Sequence, residues 1–314
     1  GFASLIHLNC GHNQLTTLDV AANVNLEVLF SYENQLTSLD VSNNLVLTNL
    51  QCAHNQLTSL DISNNIVLTT LSCHYNQLTS LDVSQNLLLE HLWCQWGGLT
   101  NLDVSMLPQL KNLKCGYQPL GTIDVTNNIL LYHLNCAGNT LTTLDVTNNV
   151  NLKYLYCSSN PLITTIDISN NPILEILDVS DNPIETIDLS IHTSLITLYA
   201  QSCQLGINLG GAGIPLTNNV NLKYLKLDNN PLGTLDISTN INLEEIRAQN
   251  NPGNATWLTS INFGSVIDFN NITSLDVRNN PNLTIHVGTA QRVIDFQNLF
   301  ITGTHYDSGT NITI

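Results

Sequence analysis

Residues 47–68 read L-T-N-L-Q-C-A-H-N-Q-L-T-S-L-D-I-S-N-N-I-V-L, and closely related stretches recur along the chain every 21 residues. A repeat of this length with leucines at fixed offsets is typical of a solenoid, in which each repeat forms one coil that packs against its neighbours. The second leucine of the stretch, Leu50, marks the centre of its coil. The equivalent centres are Leu8, Leu29, Leu50, Leu71, Leu92, Leu113, Leu134, Leu155, Leu177, Leu198, Leu225 and Ile246.

Apolar residues alternate around each centre, as in Leu50 and Cys52, and this period of two predicts a short strand. Stacked coils would pair these strands in parallel, about 4.8 Å apart. Each inward aliphatic side chain contributes about 1.5–3 kcal/mol when it is fully buried. Because a lone coil cannot offset its chain entropy, we expect the stability to be collective.

The composition limits the classes of partner. The 314 residues carry a formal net charge of −16, from 8 Lys and Arg against 24 Asp and Glu. Such a chain repels phosphate backbones, so we expect no nucleic-acid partner. No apolar run approaches the roughly 20 residues of a membrane-spanning helix, so no transmembrane segment is predicted.

The repeat is regular through the first eight centres and weakens towards the carboxyl end. We predict one solenoid over residues 1–314, with twelve recognisable coils in 1–251, degenerate coils in 252–283 and a β-rich cap in 284–314. Within the cap, T-I-H-V and R-V-I-D-F are each predicted as a short strand. Gly206–Pro215 contains an insertion that we expect to bulge as a loop. Because the chain opens within a coil, we interpret it as a fragment of a larger protein.

An asparagine follows nine of the twelve centres by five residues, as Asn55 follows Leu50. The turn at this place leaves backbone groups without a sheet partner, and a stacked amide can both donate to and accept from them. Gly97, Gln118 and Cys203 replace the asparagine in three coils. We expect altered turns in those coils.

A column of cysteines stands two residues after seven of the centres. It could indicate a metal site or disulfides, but the same position holds Val179, Ala200, Leu227 and Ala248 in later coils. No C-x-x-C sequence or inward histidine accompanies the column. We therefore interpret these residues as buried core thiols. They are Cys10, Cys52, Cys73, Cys94, Cys115, Cys136 and Cys157.

Aspartate forms another column. In a D-V-S-x-N turn the carboxylate can accept from nearby backbone N–H groups, which is the interpretation that we favour. The alternative is calcium held between neighbouring carboxylates, at Asp61, Asp82 and Asp103. No D-x-D-x-D-G loop supports that alternative, so no cofactor is predicted. The column comprises Asp19, Asp40, Asp61, Asp82, Asp103, Asp124, Asp145, Asp167, Asp188, Asp236 and Asp276.

The segment N-Q-L-T-S-L-D-V-S-x-N-x-x-L resembles the leucine-rich-repeat superfamily, and most of all its bacterial internalin-like branch of cell-surface and secreted proteins. The resemblance covers about residues 5–283. It implies a mostly β repeat solenoid of the α/β type, curved as a horseshoe, with a parallel concave β-sheet and a largely non-helical convex side. It also implies recognition or adhesion outside the cell. The repeat is one residue shorter than is usual in internalins, and neither a helical amino-terminal cap nor an immunoglobulin-like domain is visible, so host-cell receptor binding does not carry over.

Aromatic and imidazole side chains concentrate at positions predicted to project from the concave sheet. Rings with polar tips are frequent anchors of recognition surfaces, so we predict a binding face centred on Leu92–Leu155. The alternative is that the rings only stack on one another along the sheet. The predicted face comprises Phe30, Tyr32, His54, His74, Tyr75, His91, Trp93, Trp96, Tyr117, His133, Tyr154, Tyr156, Tyr199 and Tyr224.

The favoured function is non-catalytic recognition of a protein or peptide ligand by this face. A polysaccharide that stacks on Trp93 and Trp96 is the first alternative, and a structural spacer is the second. No G-x-S-x-G, H-E-x-x-H or Walker-type sequence is present. Because no nucleophile with an orienting carboxylate is evident beside the exposed histidines, we predict no enzyme activity and no catalytic residues.

Overall fold

The computed structural model of the chain describes residues 4–206, 213–251, 258–265, 267–300, 305–307 and 310–313. The chain forms two compact units, Gly1–Leu152 and Lys153–Ile314. Each unit is a parallel β-solenoid built from three-residue strands, which confirms the prediction from the repeat. The predicted insertion loop falls largely on residues 207–212, which lie outside the described residues, so it stays a prediction.

Seven strands form the sheet of the first unit, and they pair in parallel in chain order. The register places Leu50 between Leu29 and Leu71, and all three leucines are fully buried. The residues on either side of each leucine face outward from the sheet. The strands are β1 His7–Asn9, β2 Val28–Phe30, β3 Asn49–Gln51, β4 Thr70–Ser72, β5 His91–Trp93, β6 Asn112–Lys114 and β7 His133–Asn135.

The second unit contains two parallel sheets. One is formed by the strands at the coil centres, as in the first unit, and the other by strands in the later part of the coils. In the first of them the strands are β8 Tyr154–Tyr156, β9 Ile176–Asp178, β10 Thr197–Tyr199, β11 Tyr224–Lys226, β13 Glu245–Arg247 and β15 Ser274–Asp276. In the other they are β12 Thr234–Asp236, β14 Ser260–Asn262, β16 Thr284–His286 and β17 Asn311–Thr313.

Strand β15 corrects the sequence-based placement of Asp276. In the sheet Leu275 pairs with Ile246, so Leu275 is the centre of a further coil. Asp276 therefore belongs to a strand and not to the aspartate column, and its Oδ2 accepts from Arg278 Nη2 at 2.6 Å. The sequence S-L-D-V at residues 274–277 fits both places in the repeat, and only strand pairing decides between them.

The prediction of a strand at R-V-I-D-F is wrong, because these residues lie in the helix α1, Ala290–Leu299. The Thr289 side chain caps the helix by accepting from the Arg292 backbone N–H at 3.4 Å. Phe296 is fully buried, with its ring centroid 5.7 Å from that of Phe263 and 5.3 Å from that of Phe269. This packing is a tertiary effect that a local pattern does not reveal. The strand predicted at T-I-H-V is confirmed as β16.

Asn55 shows how the predicted asparagine column joins successive coils. Its Nδ2 donates to the Ser31 carbonyl of the preceding coil at 2.9 Å and to the Cys52 carbonyl of its own coil at 3.1 Å. Its Oδ1 accepts from the Leu36 backbone N–H at 2.9 Å. One buried amide thus satisfies three backbone groups that the sheet leaves unpaired.

The prediction of altered turns is wrong for the backbone, since all three departing coils keep a residue with φ between +54° and +58° at the turn. Gln118 replaces the missing amide by donating to the Cys94 carbonyl at 2.8 Å and accepting from the Leu99 N–H at 2.9 Å. Its longer side chain fits because Gly97 stands one coil earlier, where a Cβ would lie 3.1 Å from the Gln118 Oε1. Cys203 donates its Sγ to a backbone carbonyl at 3.3 Å.

A second column of buried asparagines was missed by the sequence analysis, although the repeated N-N pair is its signal. Asn65 Nδ2 donates to the Val41 carbonyl at 3.1 Å and to the Asn44 carbonyl at 2.9 Å. In one coil His192 takes this place, with Nε2 at 3.1 Å from the Ile168 carbonyl oxygen. The column comprises Asn44, Asn65, Asn86, Asn128, Asn149, Asn171, Asn219 and Asn240.

The aspartate column forms turns as the favoured interpretation predicts. Asp61 Oδ1 accepts from the Ser63 backbone N–H at 2.9 Å, and this hydrogen bond lowers the pKa of the carboxyl. The same bond recurs between Asp82 and Ser84 and through most of the column. Calcium at this column stays the alternative interpretation.

The cysteine column lies in the core, as predicted. All eight cysteines are free, seven of them are buried, and Cys10 is partly exposed. Burial raises the pKa of Cys52 and of Cys115 to about 12. At neutral pH these thiols are therefore protonated and chemically inert.

Candidate binding surface

Eight of the fourteen residues predicted for the binding face lie on strands, on either side of a buried central residue. In the first unit they are Phe30, His91, Trp93 and His133, and in the second Tyr154, Tyr156, Tyr199 and Tyr224. All eight are partly exposed. We name the outward side of β1–β7 the strand face of the first unit.

The other six predicted residues lie in the turns that follow the strands, so their assignment to the sheet is wrong. Tyr32 and His74 follow their centres by three residues. His54, Tyr75, Trp96 and Tyr117 follow theirs by four and have φ between +51° and +58°. Each strand ends after three residues, and a left-handed turn then redirects the chain. The alternation of inward and outward side chains therefore does not continue to these six positions.

These last four residues form a continuous stack of rings, which we name the turn ladder. The centroids are 4.3 Å apart for His54 and Tyr75, 5.4 Å for Tyr75 and Trp96, and 3.9 Å for Trp96 and Tyr117, with interplanar angles of 17°, 8° and 7°. The stacking alternative is confirmed for this part of the face. Because each ring covers the next, the turn ladder exposes mainly ring edges. The last three residues of the turn ladder are each 42–44% exposed.

Gly138 ends the turn ladder, and the reason is steric. It occupies the next equivalent position with φ +67°, and a Cβ there would lie 2.6 Å from Tyr117 Cδ1. The outer side of the Tyr117 ring therefore packs over the glycine backbone instead of facing solvent.

A group of polar side chains from the strand face and the turn after β4 lies around Trp93. We name His74, His91, Trp93, Lys114 and His133 the Trp93 cluster. Lys114 Nζ lies over the Trp93 ring at 5.4 Å from its centroid, a cation–π distance. The His91 ring centroid lies 6.2 Å from that of Trp93. Pairing of β5 with β6 brings Trp93 directly beside Lys114.

A shallow depression runs from the Trp93 cluster towards β1. It has a volume of about 350 Å³, and its lining includes Phe30, Tyr32, His54, His74 and Trp93. The depression is thus lined by residues of the strands and by residues of the turns that follow them.

Two histidines of the Trp93 cluster, His74 and His133, are poor bases. Burial, followed by the charges of His54 and Lys114, lowers the pKa of His74 to about 4. Burial, followed by the charge of Lys114, lowers the pKa of His133 to about 4. Both imidazoles are therefore neutral at pH 7.

These shifts predict acid destabilisation of the first unit. Because an unfolded histidine has a pKa of about 6.5, the unfolded chain binds more protons than the native chain between about pH 6.5 and 4. Stability is thus fully present above pH 6.5 and falls as the pH drops to 4. We expect the melting temperature to fall by about 3 °C or more across this window.

Thermal unfolding followed by circular dichroism at pH 7, 5.5 and 4.5 measures this fall, with the variant His74→Gln/His133→Gln as the comparison. The variant should show a shallower fall. Some slope should remain, since burial also lowers the pKa of His192. Equal slopes in the variant and the wild type would contradict the assignment.

The strand face of the second unit differs because its charges are neutralised in pairs. Lys226 Nζ lies 4.6 Å from the Tyr199 ring centroid, as Lys114 lies over Trp93, but it also contacts Glu245 at 3.4 Å. Arg247 Nε contacts the buried Asp228 carboxylate at 3.0 Å. This part of the predicted face is a network of internal ion pairs.

Comparison with solved structures gives the family. No protein-family model and no curated protein sequence matches the chain. The functional domain of InlJ from Listeria monocytogenes is 33% identical in sequence and superposes with a TM-score of 0.81, over 95% of this chain and 68% of that chain. The chain belongs to the internalin family of leucine-rich-repeat proteins. The InlJ structure is described as including a cysteine ladder, and this internalin-like chain has a column of buried cysteines.

More distant structures share the fold of the internalin-like chain. A leucine-rich-repeat protein of Leptospira interrogans is 20% identical with a TM-score of 0.68, over 98% of this chain and 83% of that chain. The internalin InlF of Listeria monocytogenes is 19% identical with a TM-score of 0.59, over 99% of this chain and 86% of that chain. The internalin likeness supports a protein-interaction module, and it is typical of surface or secreted proteins.

The internalin-like chain also exposes an aliphatic stripe that the sequence analysis missed. Its members precede their strands by four residues and are 46–57% exposed. In the sequence the stripe is marked by a repeated Val, Leu or Ile directly after an asparagine, in most coils after the pair N-N. The stripe of the first unit comprises Val24, Leu45, Ile66, Leu87, Ile129 and Val150.

Among the described residues no three His, Cys, Asp or Glu side chains converge as a metal site. No helix within the described ranges combines the length and the apolar character needed to cross a membrane.

Proposed function

We propose that the Trp93 cluster and the adjoining depression bind a protein or peptide partner, so that the chain acts as a non-catalytic recognition module at a cell surface or outside the cell. The observation that carries this proposal is a group of buried polar atoms without hydrogen-bond partners among the described residues. They are His91 Nδ1, Trp93 Nε1, Gln95 Oε1 and Asn112 Oδ1. Most buried polar groups in folded proteins are paired. Unpaired atoms also occur in the core, such as Oδ1 of Asn44 and Asn65, but His91 and Asn112 are directly paired across β5 and β6 on the outward side of the sheet, where a ligand or water can reach them.

The surroundings of these atoms suit a protein surface. A partly exposed Trp flanked by His and Lys supplies apolar area together with polar tips, and Trp is among the residues enriched at interaction hot spots. Membership of the internalin family supports the same class of function.

The polysaccharide alternative has less support. Sugar rings bind tryptophan through its exposed face, whereas the turn ladder exposes ring edges and Lys114 lies over the Trp93 ring. The spacer alternative leaves the unpaired atoms of β5 and β6 without a role. We therefore favour a protein or peptide ligand.

The test is a screen of the labelled chain against an array of extracellular proteins and a glycan array. The double variant His91→Ser/Trp93→Ser removes the centre of the Trp93 cluster, and we expect it to weaken capture of bound proteins by more than about tenfold. The variant Ile66→Ser/Leu87→Ser alters the aliphatic stripe and should leave capture unchanged. Thermal unfolding of both variants establishes that they fold.

Three outcomes would overturn the proposal. Capture lost only in the Ile66→Ser/Leu87→Ser variant would move the site to the aliphatic stripe. Capture of glycans alone would favour the polysaccharide alternative, and no capture on either array would favour the spacer.

A further inference from the structure

Lys114 differs from most cations of this acidic chain because it has no carboxylate partner among the described residues. Six of the eight Lys and Arg residues contact a carboxylate within 4.0 Å. Arg292 instead stacks on Phe269 and donates to a backbone carbonyl. Lys114 instead lies over the Trp93 ring.

The strand face around Lys114 carries no carboxylate, and Glu33, which lines the adjoining depression, lies 2.7 Å from His12 Nδ1. The outward positions of β1–β7 hold no Asp or Glu. The aspartate column of the same coils lies in other turns, where each carboxylate accepts from its own backbone. Since salt screens exposed charges over about 8 Å at physiological ionic strength, the local sign of the charge at Lys114 is positive despite the net charge of −16.

The group beside Lys114 defines what this cation would take. Trp93 Nε1 is a donor only, and it is buried without a partner among the described residues. An ionised carboxylate is an acceptor only, with two oxygens, so it can accept from the ammonium and from the indole N–H together. A phosphate carries more charge than one lysine balances, and His74 and His133 add no charge because they are neutral at pH 7.

We propose that Lys114 and Trp93 bind the side-chain carboxylate of an Asp or Glu in the peptide ligand. This inference rests on the proposed function, because it names the ligand group that the Trp93 cluster recognises. The ligand is then a segment with one acidic residue among polar and aromatic neighbours, and not a polyanion, which the remaining charge of the chain would repel.

The experiment starts from a phage-displayed library of random dodecapeptides selected on the whole chain. A selected peptide is synthesised with its Glu or Asp and with the corresponding Gln or Asn, and both are titrated by fluorescence anisotropy. A charge-assisted hydrogen bond predicts about tenfold weaker binding of the amide peptide to the wild type. With Lys114→Gln the acidic and amide peptides should bind equally, as a double-mutant cycle requires.

Two further variants control for folding and for charge in general. Lys114→Arg keeps the cation and should retain the preference for the acidic peptide. Lys226→Gln removes a lysine that lies over a tyrosine ring in the second unit, and it should leave binding unchanged. If Lys114→Gln does not fold, the wild-type comparison of the two peptides still decides the question.

The outcomes separate the inference from the proposed function. Selected peptides without acidic enrichment, or equal binding of the acidic and amide peptides by the wild type, would overturn the carboxylate site and leave peptide binding intact. Failure to select any peptide would overturn both.

Discussion

Replacing Asn76 by alanine lowers the free energy of unfolding by about 3 kcal/mol or more. Asn76 Nδ2 donates to the carbonyls of Cys52 and Cys73, each at 3.0 Å, and Oδ1 accepts from the Leu57 N–H at 2.9 Å. The substitution leaves three buried backbone groups without a partner, and each such group costs about 1–3 kcal/mol. Partial relaxation of the turn keeps the total below the sum.

Urea unfolding followed by the fluorescence of Trp93 and Trp96 measures this loss in the first unit. The matched control is Asn64→Ala, which removes an exposed amide that donates to the Ser42 carbonyl at 3.2 Å. We expect the control to change the stability by less than about 0.5 kcal/mol. Equal effects of the two substitutions would mean that the buried asparagine column is not what joins the coils.

In the native chain we expect one thiol to react with a thiol reagent and the other seven to be protected by burial. Cys10 is partly exposed, whereas the other cysteines are buried, and burial raises the pKa of Cys203 to about 12 as it does for Cys52. A rise from about 8.5 to about 12 reduces the thiolate fraction by roughly a thousandfold, and burial further hinders access.

Reaction with a chromogenic disulfide reagent at pH 8 counts the thiols directly. One equivalent should react within minutes in the native chain, and eight should react in guanidinium chloride. Cys10→Ser should abolish the fast phase. Two or more fast thiols in that variant would show that the column is accessible and that its assignment to the core is wrong.

The 21-residue period was sufficient to predict the solenoid, the strands at the twelve coil centres, the cysteine column and the first asparagine column, because the coils repeat the same inward side chains. It did not place the turn ladder, since the left-handed residue after each strand is not marked by glycine. His54 and Trp96 look like any other polar aromatic residue in the sequence. Their placement required the backbone.

Other errors have the same origin in long-range contacts. The helix α1 depends on the burial of Phe296 against aromatic residues from other coils. The position of Asp276 depends on which strand Leu275 pairs with. Lys114 could be placed on a strand from the sequence, but its lack of a carboxylate partner becomes visible only when the neighbouring coils are known.

The most direct test of the proposed binding surface is photo-crosslinking on the extracellular-protein array. A benzophenone side chain replaces Gln51, which lines the depression on the strand face, or Ile66 in the aliphatic stripe. After irradiation and a denaturing wash, we expect covalent retention of the Gln51 derivative on the proteins that capture the wild type and none of the Ile66 derivative. Retention of the Ile66 derivative alone would contradict binding at the strand face.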